Sequence, residues 1–160
     1  MKHLHPLEFP SDMGAPESKK KRVVKHLFIE ADEDHIHLQY HTRKGDLYRE
    51  VIVNDRRCII VHAGYKEGIK GEEERQKFFL EERDFAYTEG GIQDGMVIAG
   101  HTPTLVEGQF VFIDGKVFRY YDERKNCIFY DIDCGCVFRE RDSRGKLACI
   151  RLEDEKIFYV

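Results

Sequence analysis

Two short apolar runs in this chain each stop at a histidine set beside a glycine. Cys58-Ile59-Ile60 leads into Val61-His62-Ala63-Gly64, and Met96-Val97-Ile98-Ala99 leads into Gly100-His101-Thr102-Pro103-Thr104. Runs of this length, closed by turn residues, suit strands. Each strand then delivers an imidazole to its end, where glycine permits a sharp turn or the close approach of backbone or phosphate. Neutral imidazole is a good transition-metal ligand, so two strand-end histidines point toward metal-assisted hydrolysis. A structural or surface histidine is the ordinary alternative at each position, because either motif alone is weak.

The rest of the pattern predicts an α+β chain that is mostly β with one main helix. Residues 23–29 and 36–40 suit strands separated by the acidic turn Asp32-Glu33-Asp34. Residues 47–53 and 57–61 flank Asn54-Asp55-Arg56 as a hairpin. A helix is predicted over 71–85, with Glu72, Glu73 and Glu74 at its positive end and Phe78, Phe79 and Phe85 covering a sheet. Further strands fall at 96–99, 110–113, 117–121, 127–130, 147–152 and 156–160, with Asp114-Gly115-Lys116 joining the second and third of these as a hairpin.

A chain of 160 residues fits one domain with a sizeable core. Residues 1–21 hold all but one of the four prolines and are expected to form a flexible leader, with the folded part at 22–160. The net charge of −4 is spread over 26 basic and 30 acidic side chains, which gives no electrostatic reason to expect nucleic acid. The basic run Lys19-Lys20-Lys21-Arg22 reads as solvated tail. No apolar stretch reaches membrane-spanning length and no signal-peptide segment opens the chain. Five cysteines, an odd number in apolar settings, fit buried thiols in a reducing compartment. A cytoplasmic location is therefore expected.

Four ordered segments between residues 47 and 160 together resemble the C-terminal half of calcineurin-like metallophosphoesterases. They are Leu47-Tyr48 with Ile60-Val61-His62-Ala63-Gly64, then Ala99-Gly100-His101-Thr102-Pro103-Thr104, then Ile132-Asp133-Cys134-Gly135, and last Gly145-Lys146-Leu147-Ala148-Cys149-Ile150-Arg151-Leu152 with the closing Phe158-Tyr159-Val160. The nearest branch is that of bacterial serine/threonine protein phosphatases and diadenosine-tetraphosphatase-like enzymes. The resemblance implies one half of a two-sheet sandwich, a truncated domain over 22–160 that would leave an inner sheet face without its usual strands. It implies His62 and His101 as metal ligands and Arg83, in Leu80-Glu81-Glu82-Arg83-Asp84-Phe85, as the catalytic group that grips phosphate. An exposed helix salt bridge is the alternative role for Arg83. The implied cofactor is a divalent metal, Mn²⁺ or Zn²⁺ and then Fe, weakly bound or absent in the isolated chain. A phosphate-containing substrate is implied with it.

The chain departs from the family in its first half. No aspartate-x-histidine, glycine-aspartate-x-x-aspartate-arginine-glycine or glycine-asparagine-histidine-glutamate stretch occurs. Those segments carry the bridging aspartate, most other ligands and the general-acid histidine. Asp32, Asp34, His35 and His37 are the local candidates to compensate, but their spacing fits a polar turn and an exposed strand better. Two neutral imidazoles do not offset the repulsion of two cations, so efficient turnover by the chain alone is not expected. A homodimer, or a separate polypeptide bearing the first half, would complete the site. A noncatalytic binding or assembly module is the competing reading.

Other constellations are weaker. Cys134-Gly135-Cys136 with Cys127 and Cys149 matches no pair of zinc knuckles and reads as structural thiols. Aromatics between 110 and 130 suit cross-strand packing better than a base-stacking platform. No P-loop, dinucleotide fingerprint or serine nucleophile elbow is present.

Overall fold

The computed structural model describes residues 47–105 and 114–160. Asn54 and Asp55 both take positive φ, 49° and 61°, the backbone that a two-residue hairpin turn requires and that these residue types tolerate. The turn folds β1 (Tyr48–Val53) onto β2 (Arg56–Val61) as an antiparallel pair. β2 then pairs in parallel with β3 (Gly95–Ala99). A parallel step needs a long crossover, and this one carries α1 (Glu72–Glu81). Two further strands, β4 (Phe118–Asp122) and β5 (Cys127–Asp131), form an antiparallel pair, and β5 lies parallel to β3. The five strands run in the order β1-β2-β3-β5-β4.

The three central strands are apolar throughout because both faces of the sheet are covered. One face presents Cys58, Ile60, Met96, Ile98, Ile128 and Tyr130. Against it packs a second layer, the antiparallel pair β6 (Ala148–Arg151) and β7 (Lys156–Tyr159), through Ala148, Ile150, Leu152 and Ile157. The alternate residues Ile59, Val61, Val97, Ala99 and Phe129 meet Phe79 of α1 with Tyr65, Ala86 and Ile92 of the crossover. The expected α+β class is therefore present: one α-helix among the described residues, a five-stranded mixed sheet and a small sheet. The sheet face turned toward β6 and β7 is buried by their side chains. No helix among the described residues is long and apolar enough to cross a membrane.

Polar contacts stitch the two layers at one end. Asn54 donates to the Glu153 carbonyl at 2.8 Å, and the Tyr130 hydroxyl donates to Glu155 at 2.6 Å. Arg56 pairs with the same Glu155 at 3.4 Å. The turn between β6 and β7 is thereby tied to the β1–β2 hairpin and to the sheet centre.

The helix is shorter than its sequence predicts. Glu82 turns extended (φ −67°, ψ 131°), and its carboxylate accepts the backbone N–H groups of Arg83 and Phe85, both at 3.0 Å. That side chain offers the backbone partners other than the helix ladder, so α1 stops at Glu81. Phe79 covers the sheet and Phe78 is partly buried, but Phe85 is 51% exposed and covers nothing. Asp114 and Gly115 take the positive φ expected of a turn. The predicted strands 23–29, 36–40 and 110–113 and the leader 1–21 lie outside the described residues.

If β6 holds its layer by apolar packing, Ile150→Ala should cost about 2–5 kcal/mol, since Ile150 is fully buried among the sheet side chains. Urea unfolding followed by circular dichroism measures this. A loss below about 1 kcal/mol would mean that β6 does not close the core.

Candidate functional site

Parallel pairing brings the ends of β2, β3 and β5 to one edge of the sheet. In open sheets with parallel strands, the crevice beyond the carboxyl ends is the usual place for ligands. His62 directly follows β2, His101 follows β3 by one residue beyond Gly100, and Asp131 is the last residue of β5. The Gly100 N–H donates to the His62 carbonyl at 2.9 Å, which joins the first two strand ends. His101 sits at φ 72°, a left-handed backbone unusual for a residue with a full side chain.

The two imidazoles meet. His62 Nε2 and His101 Nδ1 are 2.9 Å apart, with ring centroids separated by 4.6 Å. The Glu81 backbone lies close enough to the His101 ring to favour its protonated form. One ring donates the shared proton and the other accepts it. Burial pushes the His101 imidazole down to about 4, helped by the charges of Arg83 and His62. Burial and then Arg83 lower His62 as well. Both rings are neutral at pH 7.

Arg83 reaches the same place from the segment that follows α1. Its Nη1 donates to the His101 carbonyl at 2.9 Å, so the sequence-predicted trio converges. A helix salt bridge does not describe it, because Arg83 lies beyond the helix end.

The 2.9 Å separation is that of a ring-to-ring hydrogen bond, which a divalent cation held by His62 and His101 would have to replace. A tetrahedral ion would spread them to about 3.4 Å. The shared proton would leave on binding. No third histidine, cysteine, aspartate or glutamate joins the pair as a metal-holding group among the described residues. The Asp32-to-His37 candidates lie outside those residues.

Asp131 is the group that sequence reasoning missed. It is 1% exposed, its neighbour across the ladder is Ala99, and burial raises its carboxyl well above the usual carboxylate range. Arg83 lies near enough to oppose that rise. The signal was present in Asp131-Ile132-Asp133, polar residues closing an apolar run just as the two histidines do. The cysteines play no part. None of the five forms a disulfide, and burial holds the Cys58 and Cys134 thiols up to about 11 and about 12.

The lowered histidine gives a pH dependence of known sign. An unfolded chain binds the imidazole proton near 6.5, and the folded one near 4. His101 therefore favours the fold above pH 6.5, and that contribution is lost as pH falls toward 4. Asp131, shifted upward, acts in the opposite direction across the same range. The difference between the native chain and His101→Asn isolates the ring, since asparagine accepts a left-handed backbone. Native stability should fall more steeply than that of the variant from pH 6.5 to 4, as read by urea titrations; parallel curves would disprove it. In the same series, Arg83→Gln should raise the titration of both imidazoles by NMR, and an unmoved pair would place Arg83 away from them.

Comparison with protein-family models, curated proteins and solved structures found no match to this chain.

Proposed function

We propose that the chain is a metallophosphoesterase-type half-domain in which His62 and His101 hold a divalent cation for phosphoester hydrolysis. The remaining ligands would come from outside the described residues, from a second copy of the chain or from a polypeptide bearing the family's first half. The observation that carries the reading is the 2.9 Å approach of two neutral imidazoles from two separate resembling motifs. Arg83 supports it, because its bond to the His101 carbonyl sets a guanidinium beside the pair. When bound, the cation supplies charge stabilisation to phosphoryl oxygens. The chain's own part is to present two lone pairs, keep them uncharged and aim the remaining N–H donors of Arg83 at phosphate. The substrate class is a phosphomonoester or phosphoprotein. Five cysteines without a disulfide suit a cytoplasmic location.

One observation favours a noncatalytic binding or assembly module instead. The described residues bring two ligating side chains together and no third.

The two readings separate in one experiment on the full chain. Mn²⁺ or Zn²⁺ is titrated by calorimetry, and an aryl phosphate is assayed beside H62A, H101A and R83A. Hydrolysis predicts saturable metal binding lost in both histidine variants, with turnover at background. R83A should keep the metal and lose roughly a hundredfold in turnover, the size of one oxyanion donor. Absence of both metal binding and turnover in the native chain would leave the assembly reading.

A further inference from the structure

The loop that carries His101 is held at both ends, and the second hold leads to Asp131. At the first, Gly100 donates to the His62 carbonyl. At the second, the N–H and hydroxyl of the fully buried Thr104 both donate to the Asp133 carbonyl, at 2.9 and 3.1 Å. Between these points the backbone passes through the left-handed conformation of His101, which persists only if its surroundings enforce it. The Asp133 carbonyl is thus a clamp, and its own position needs a cause.

That cause is a pair of side-chain contacts. The Asp133 N–H donates to Asp131 Oδ1 at 2.9 Å, and Asp133 Oδ1 accepts the Gly135 N–H at 3.0 Å. Asp131 is itself fixed in the sheet, since it ends β5 opposite Ala99 and the next residue, Ile132, donates to the Ala99 carbonyl at 2.9 Å. A continuous line of bonds therefore runs from the end of β5 through Asp131 and Asp133 to Thr104, three residues from the imidazole.

We propose that Asp131 is a positioning residue for the His101 imidazole, acting as the buried acceptor that orients Asp133 and, through Thr104, the loop. The inference rests on the functional reading only in taking the imidazole pair as the working centre. Neither its argument nor its test uses metal or substrate. What the loop needs from Asp131 is an oxygen, not a charge. Burial favours the uncharged acid, so asparagine is an isosteric match that keeps the acceptor.

The test reads the rings themselves. Full-length protein carrying ¹⁵N-labelled histidine is compared by long-range NMR for the native chain, D131N, D131A and I150A. The native chain should show each ring as a single tautomer, with one proton shared between His62 Nε2 and His101 Nδ1. D131N should keep that pattern. D131A should lose it, giving averaged nitrogen signals for both rings. I150A supplies the control for general destabilisation, because it removes no member of the line of bonds and should keep the pattern at a comparable loss of Tm. A native tautomer pattern in D131A overturns the proposal, as does its loss in D131N or in I150A. Should D131A fail to fold, T104V removes one of the two bonds to the Asp133 carbonyl. Displaced His101 signals would then support the proposal, and unchanged ones overturn it.

Discussion

Parallel pairing is what makes a site out of residues far apart in the chain. A residue that ends an antiparallel neighbour would face the opposite edge, but β2, β3 and β5 share one direction. Their ends therefore align, and the imidazoles of positions 62 and 101 meet there while Asp131 ends the adjoining strand. The arrangement requires α1 and the rest of the crossover to lie over one face while β6 and β7 cover the other. Both layers are needed to keep the central strands dry, and dry strands hold their ends still.

The electrostatics at that edge are one-sided. Arg83 is a permanent cation beside two rings that have been driven neutral, and the nearest buried carboxyl is itself pushed toward its uncharged form. Such a place repels further protons and welcomes electron pairs.

Local chemistry made much of this legible. Asn54-Asp55 announced the first hairpin, and the apolar runs at 58–61 and 96–99 announced strands that deliver histidines. The rings and Arg83 come together in the fold, which neither run shows alone. The helix was overextended because Glu82 looks like a good helix former, and its turn depends on where its carboxylate finds N–H partners. Strand order was not readable, since β4 and β5 pair across a turn at Glu123–Asn126 while β5 crosses to β3. Asp131 escaped notice because an aspartate after a strand usually marks solvent, and its burial is a property of the assembled layers.

Among the described residues seven non-glycine residues adopt left-handed backbone, and five of them are asparagine or aspartate, types that bear it easily. His101 is one of the two exceptions, and an imidazole there carries a conformational cost on the order of 1 kcal/mol that glycine would avoid. Selection for folding alone would relax the position. That small cost is borne where the loop turns between its bonds to His62 and Asp133.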